Sequence, residues 1–280
     1  MTVIVTETTI AGGAGTVGGE AAAGEGAAGA AVAPRLAAYT VRPVHGATDK
    51  FAGRPGPAVV LCHGFPSMQR PDVPNRTYRH FAERIARTQG WTVLAVSLRG
   101  CGGSEGDFSL VGWIDDVCRS VDRVVDDGCS GVWLVGSTTG GSLAMLAAAR
   151  DPRVCGVAAM APRADFDDWA ADPRRFLEHC RALGVVKSPG FPPSHSAWIR
   201  ELRQNRALDA VGALGERPLL ILHGVEDRQV PFADAQELAA RHPGTELRLI
   251  SGADHRIRHD PRAIAVLLGW LETQAATNLG

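Results

Sequence analysis

The sequence predicts an α/β fold with a mostly parallel central sheet and helices on both of its faces. Short, nearly continuous apolar runs alternate along the chain with amphipathic stretches of helical spacing. Strands that are apolar throughout are buried on both sides, as in parallel sheets covered by helices. Ligands of such sheets bind at the carboxyl ends of the strands. We therefore expect a functional site at that edge of the sheet.

The individual elements follow from the spacing of their apolar residues. Six apolar runs predict buried strands, at residues 57–62, 91–98, 132–136, 154–160, 219–223 and 247–250. Apolar positions at helical spacing predict helices at residues 78–89, 113–125, 142–150 and 261–274. Gly90 follows the first of these helices and is expected to end it.

Two segments depart from the alternation of strands and helices. Residues 11–33 are almost entirely Ala, Gly, Glu, Thr and Val without periodicity, so they bury too little apolar area to offset their ordering entropy. We expect residues 1–35 to be a disordered, Ala/Gly-rich leader and residues 36–280 to form one domain. Residues 163–216 are rich in Asp, Arg, Trp and Pro and contain helical pieces, which predicts a small helical cap inserted between two strands.

The composition favours a cytoplasmic enzyme or binding protein, and we expect a small molecule as its substrate. A formal net charge of −1 provides no overall field for nucleic acid or an anionic membrane, and we expect neither as a partner. No apolar run reaches the roughly 18 residues of a membrane-spanning helix, and the first residues lack a basic signal-peptide region. The six cysteines form no C-x-x-C pair, so we expect reduced, buried thiols and no metal or other cofactor.

The segment from Val135 to Gly141, Val-Gly-Ser-Thr-Thr-Gly-Gly, has the pattern of a nucleophile elbow. It lies between a predicted strand and a predicted helix, and the pattern small-x-nucleophile-x-small places Thr138 where serine is usual. Such a turn needs a positive φ, which costs a β-branched residue on the order of 1–3 kcal/mol. Threonine still supplies a hydroxyl. Thr138 is therefore either a specialised nucleophile or the mark of a degenerate site that binds without covalent catalysis.

Together with this elbow, three further motifs resemble those of the α/β-hydrolase superfamily. They are His-Gly-Phe-Pro at 63–66, Leu-His-Gly-Val-Glu-Asp-Arg-Gln-Val-Pro at 222–231, and Ser-Gly-Ala-Asp-His at 251–255. The resemblance spans about residues 41–273 and implies the α/β-hydrolase fold. It also implies a catalytic triad of Thr138 as nucleophile, Asp227 as acid and His255 as base, in the superfamily's chain order. The backbone N–H groups of Phe65 and Thr139 correspond to its oxyanion hole.

Two of these roles have neighbouring alternatives. Glu226 is the alternative acid, and His259 is the alternative base. Asp227 and His255 fit the superfamily's spacing better than these neighbours do.

Three other residues of catalytic type are expected to have structural roles. His63 is expected to order the oxyanion loop, and His223 to form a hydrogen bond at a strand end. Cys101 lies in a glycine-rich loop that does not match an elbow, so a plain loop cysteine is expected.

The predicted cap contains side chains that are able to select a substrate. Four arginines are able to meet an anionic group, but interspersed acidic residues favour ion pairing within the cap instead: Arg163, Arg174, Arg175 and Arg181. Its aromatic residues are expected to pack the cap rather than line a pocket: Trp169, Phe176, Phe191 and Trp198.

Three functions are compatible with these motifs. The first is hydrolysis of an ester, thioester or related acyl bond through a Thr-His-Asp triad, without metal or organic cofactor. The second is a degenerate, non-catalytic ligand-binding protein on the same fold. The third is a lyase or isomerase that uses His255 as a general base. A fold does not determine function, so the site geometry has to discriminate among them.

Overall fold

The computed structural model describes residues 1–12, 33–44, 51, 55–67 and 73–277 of the 280-residue chain. The strands are β1 Val3–Ile10, β2 Leu36–Pro43, β3 Ala58–Cys62, β4 Thr92–Val96, β5 Val132–Ser137, β6 Val154–Met160, β7 Leu219–Gly224 and β8 Thr245–Ile250. The helices are α1 Val73–Gln89, α2 Leu110–Asp126, α3 Thr139–Arg150, α4 Asp167–Ala171, α5 Pro173–Ala182, α6 His195–Gln204, α7 Ala207–Ala210, α8 Phe232–Ala240 and α9 Pro261–Thr277.

The eight strands form a single sheet in the order β1-β2-β4-β3-β5-β6-β7-β8. β1 and β2 pair antiparallel with their neighbours, and all pairs from β4 to β8 are parallel. β3, β5 and β7 are buried at every position, because helices cover both faces of the sheet. The predicted fold class is therefore confirmed. The six predicted strands and four predicted helices are all present, with ends that differ by a few residues.

The expectation of a disordered leader over residues 1–35 is wrong for the part that forms β1. Val3–Ile10 pairs with β2 along its whole length, from Val3 opposite Pro43 to Ile10 opposite Leu36. Its Val, Ile and Thr residues favour extended backbone, and the open edge of β2 supplies the hydrogen-bonding partner. Residues 13–32, which hold most of the Ala/Gly-rich stretch, lie outside the described residues.

The segment expected to be a cap, residues 163–216, contains α4 to α7 and lies between β6 and β7. Its aromatic side chains pack on one another, as expected: the ring centroids of Trp169 and Phe176 are 4.4 Å apart, and those of Phe176 and Trp198 are 5.5 Å apart. Arg163 forms an ion pair with Asp168 of the same segment. This segment also meets the loop after β3, since the rings of Phe65 and Trp169 lie 5.0 Å apart.

Two further properties concern the molecule as a whole. None of the helices in the described ranges is long and apolar enough to cross a membrane. All six cysteines are free, as expected, but only Cys62, Cys101 and Cys180 are buried, and the other three are partly exposed.

Candidate active site

The turn between β5 and α3 holds Thr138 in a backbone conformation that is unfavourable for threonine. Its φ is 52° and its ψ is −123°, and Ala161 is the other non-glycine residue in the described chain with positive φ. The elbow's glycines are needed for close packing: a Cβ on Gly136 would overlap the carbonyl oxygen of Gly140, and one on Gly140 would overlap that of Cys62. The strained turn that the elbow motif predicts is therefore present at Thr138.

The hydroxyl of Thr138 lies directly against the loop that follows β3. A Cβ on Gly64 would overlap Thr138 Oγ1, so only glycine fits at this position of the loop. Within the described residues, the N–H groups of Phe65 and Thr139 donate to no acceptor. Thr139 is the first residue of α3, where an N–H has no partner within the helix. Both predicted oxyanion-hole donors are thus available to an oxygen atom of a ligand.

His63 orders this loop, in the structural role expected for it. Its Nε2 accepts the backbone N–H of Leu98 at 3.0 Å, so Nδ1 carries the ring's hydrogen and donates it to the carbonyl of Gly64 at 2.8 Å. Burial lowers the pKa of His63 to about 4, against a smaller opposing effect of the Gly64 hydrogen bond. The ring is therefore neutral at physiological pH and joins the ends of β3 and β4.

A carboxylate and an imidazole meet at the ends of β7 and β8. Asp227 Oδ2 lies 2.8 Å from His255 Nδ1, while Asp227 Oδ1 accepts the N–H groups of Gln229 at 2.8 Å and Val230 at 2.9 Å. Burial by itself would raise the pKa of the Asp227 carboxyl, but hydrogen bonds from His223, His255 and these amides hold it well below its usual range. Asp227 is therefore ionised at neutral pH and bound to His255.

The neighbouring alternatives lie elsewhere. Glu226 is exposed and accepts the N–H of Gly252 at 2.6 Å. His259 is exposed on the turn Ile257–His259, and His255 is the residue that meets Asp227. Burial raises the pKa of the Cys101 thiol to about 12, which makes it a poor nucleophile. No group of three or more His, Cys, Asp or Glu side chains in the described ranges is arranged to hold a metal ion.

The structure does not join all members of the predicted triad. In the described part of the chain, no hydrogen bond links Thr138 Oγ1 to His255, whereas His255 and Asp227 are linked. Catalytic hydrogen bonds are often long in ligand-free enzymes and form only with substrate bound. The arrangement thus contains an imidazole–carboxylate pair, a hydroxyl on a strained turn at the same edge of the sheet and two available N–H donors.

Tyr78, on α1, is a site residue that no sequence pattern indicates. Its hydroxyl accepts the N–H of Gly64 at 3.4 Å and also interacts with Ser137 of the elbow. Burial raises the pKa of Tyr78, so the hydroxyl stays protonated. The guanidinium of Arg258 lies 4.6 Å from the centre of its ring. Tyr78 thus connects the loop after β3, the turn between β5 and α3, and the segment after His255, and these contacts depend wholly on tertiary structure.

A parallel sheet with an elbow after β5, a carboxylate after β7 and a histidine after β8 defines the α/β-hydrolase class of proteins. A family-model match agrees with this class. The chain belongs to the alpha/beta hydrolase family, whose model matches residues 59–267. No curated protein sequence matches the chain.

Many solved structures share this fold at low sequence identity. Est1E from Butyrivibrio proteoclasticus, with bound ferulic acid, is 21% identical over 88% of this chain and 96% of its own, with a TM-score of 0.63. The alpha/beta hydrolase GrgF from Penicillium sp. sh18 is 18% identical over 98% of this chain and 99% of its own, with a TM-score of 0.67. The esterase PF2001 of Pyrococcus furiosus is 18% identical over 88% of this chain and 86% of its own, with a TM-score of 0.57.

Proposed function

We propose that this protein hydrolyses an ester, thioester or related acyl bond of a small molecule, through a triad of Thr138, His255 and Asp227. The observation that carries the proposal is the 2.8 Å hydrogen bond between Asp227 Oδ2 and His255 Nδ1. Because Nδ1 donates its hydrogen to the carboxylate, Nε2 remains as the basic nitrogen that accepts a proton. The ionised carboxylate then stabilises the imidazolium that forms.

In the proposed acylation, Thr138 Oγ1 attacks the carbonyl carbon while His255 Nε2 takes the hydroxyl proton. The negative oxygen of the tetrahedral intermediate accepts the N–H groups of Phe65 and Thr139, each contributing about 10²–10³-fold in rate. The imidazolium returns the proton to the leaving alcohol or thiol, which leaves an ester on Thr138. Water, deprotonated by His255, then attacks this ester and releases the carboxylic acid and free Thr138. The proposed reaction requires no metal or organic cofactor.

The position of the Thr138 hydroxyl supports a place beside the oxyanion hole. Oγ1 lies against Gly64, in the loop that also presents the Phe65 N–H. A carbonyl carbon next to this hydroxyl would therefore place its oxygen near the proposed donors. The β-branch restricts rotation about χ1, so turning Oγ1 towards His255 is harder for threonine than for serine. We accordingly propose slow acylation, limited by this one side chain.

Esters are the first substrates to test. PF2001 is named an esterase, and Est1E has been solved with ferulic acid. Both share the fold of this chain at low identity, so they suggest the bond type and an aromatic acyl group to include. We propose short-chain nitrophenyl esters and simple hydroxycinnamate esters as the initial panel.

The test replaces each proposed catalytic side chain, and it compares Asp227 and His255 with nearby residues of the same type. T138A, D227N and H255Q are expected to lower kcat by at least about 10²-fold. E226Q and H259Q are the matched controls, because they change exposed side chains, and both are expected to keep most of the wild-type kcat. A mass increase of one acyl group on Thr138, after rapid quenching, would identify the covalent intermediate. Equal losses in D227N and E226Q would contradict the assignment of the acid.

A lyase or isomerase activity is a second candidate function, and one observation favours it. Within the described residues the Asp227–His255 pair is formed without a hydrogen bond from Thr138, so it is able to act as a general base alone. A lyase or isomerase would use His255 to remove a proton and the Phe65 and Thr139 N–H groups to stabilise an enolate. Turnover that survives T138A but not H255Q would select this function. Absence of turnover and of labelling by a fluorophosphonate would instead select a ligand-binding protein.

A further inference from the structure

His223 is the penultimate residue of β7, is fully buried and takes no part in the proposed proton transfer. Its Nε2 lies 3.0 Å from the carbonyl oxygen of Val230 and 3.3 Å from Oδ2 of Asp227. A carbonyl oxygen and an ionised carboxylate are acceptors only, so Nε2 carries a hydrogen and donates it. The same Oδ2 that accepts His255 is thus also approached by a second imidazole.

The Nε2–H group is the polar anchor of this ring. His223 Nδ1 is buried and has no hydrogen-bond partner in the described residues. Asp234, on α8, also has an electrostatic interaction with His223, whereas the Asp227 carboxylate lies within 3.3 Å of the ring's Nε2. What holds the ring in its orientation, apart from packing, is therefore its contact with Asp227 and Val230.

Both acceptors of this N–H belong to one short turn, residues 227–230. In that turn Asp227 Oδ1 already accepts the N–H groups of Gln229 and Val230, which bind the carboxylate to its own backbone. The N–H of Asp227 donates to the carbonyl of Gly224 at 3.2 Å, which joins the start of the turn to the last residue of β7. His223 adds a side-chain connection from β7, which is paired on both sides by β6 and β8, to the Asp227 carboxylate and to Val230 at the far end of the turn.

We infer that His223 is a positioning residue for the triad, whose Nε2–H holds the turn 227–230 and the Asp227 carboxylate against the end of β7, so that Oδ2 meets His255. The inference rests on the proposed function of Asp227 and His255. Without this N–H, the carboxylate would keep its bonds to Gln229 and Val230 but would shift as a unit with its turn. The Asp227–His255 hydrogen bond would then lengthen.

The kinetic test removes or retains the donor at nearly constant volume. H223L is expected to lower kcat for ester hydrolysis by about 10- to 100-fold, the usual range for a hydrogen bond to a charged group, with KM changed little. H223Q, whose amide nitrogen reaches the position of Nε2, is expected to recover most of kcat. H223N is too short to reach Val230 and is expected to resemble H223L, which keeps the test valid should H223L not fold.

His242 provides the matched control for general effects of replacing a buried histidine. It is 1% exposed, its Nδ1 contacts Thr245 Oγ1 at 3.1 Å and its Nε2 has no partner in the described chain. H242L and H242Q are expected to lower thermal stability and to leave kcat within about twofold of wild type. Equal loss of kcat in H223L and H242L, or full kcat in H223N, would overturn the positioning role.

Proton NMR tests the inference without requiring turnover. An imidazole Nδ1–H bound to a carboxylate gives a strongly downfield resonance, which we expect in the wild type and in H223Q. We expect it to be lost in D227N and to be lost or broadened in H223N and H223L. An unchanged resonance in the folded H223N or H223L variants would overturn the inference. A wild type that shows the resonance but no turnover would overturn the proposed function alone.

Discussion

Replacing Thr138 by glycine is expected to stabilise the protein while abolishing its proposed activity. Thr138 has a φ of 52° and a ψ of −123°, a region that is favourable only for glycine. A non-glycine residue held in such a conformation costs about 1–3 kcal/mol. T138G removes this strain together with the hydroxyl, so stability and activity should change in opposite directions.

The net gain is smaller than the strain released. Glycine has more conformational freedom than threonine in the unfolded chain, and this offsets about 0.5–1 kcal/mol of the free energy gained by releasing the strain. The Thr138 side chain is only half-buried, so its removal forfeits little packing. The balance is a stabilisation of about 1 kcal/mol, equivalent to a rise in Tm of roughly 2–4 °C in a domain of this size.

Thr139 is the matched control for this prediction. It begins α3 with ordinary helical backbone and is 2% exposed, so T139G releases no strain and loses helix propensity and buried apolar area. We expect T139G to destabilise the protein by about 1–2 kcal/mol. Urea denaturation at equilibrium and calorimetry would measure both variants. A destabilisation of T138G equal to that of T139G would refute the strain argument.

Three other outcomes follow from the structure. A161G should change the free energy of unfolding in urea by less than about 1 kcal/mol, since relief of the φ of 48° at Ala161 opposes the loss of its fully buried methyl group; a destabilisation of about 2 kcal/mol or more would contradict this. Y78F removes the acceptor of the Gly64 N–H and should lower kcat about 2- to 10-fold together with a small loss of stability; a kcat equal to that of the wild type would contradict this. Burial raises the pKa of Glu201 to about 7, against hydrogen bonds from Leu110 and Val111. The folded state then binds this proton more tightly than the unfolded chain does. The wild type should therefore lose stability relative to E201Q as the pH rises from about 4 to about 7, and the difference should stay constant above pH 7. A difference in Tm between the two proteins that does not depend on pH would refute this prediction.

The motifs indicate a candidate site because each lies at the end of a strand whose apolar run is visible in the sequence. Parallel strands bring these ends together, so Thr138, Asp227 and His255 fall on one edge once the order of the strands is set. The glycine pattern of the elbow was equally informative, since Gly136 and Gly140 fit where a Cβ would overlap backbone atoms. These features depend on local chemistry and are therefore visible in a single sequence.

The antiparallel edge of the sheet escaped prediction. β1 falls within the expected leader because it is next to an Ala/Gly-rich stretch, and its pairing with β2 joins residues 26 to 40 positions apart, from Ile10 with Leu36 to Val3 with Pro43. α8 was missed because it is short and Ala-rich, with Ala235 and Leu238 as its buried residues. In both cases the partner surface, rather than the segment's own pattern, determines the structure.

By itself the sequence determined the fold class, the positions of the elbow and of the acid and histidine loops, and the presence of threonine in place of serine. Tertiary structure alone decided that the Asp227 carboxylate lies 2.8 Å from His255 Nδ1, that Thr138 Oγ1 lies against Gly64, and that Tyr78 contacts Gly64 and His223 contacts Asp227. The physical reason is distance along the chain. Strand periodicity and turn chemistry act between near neighbours, whereas these contacts join side chains from separate elements and exist only when the sheet has formed.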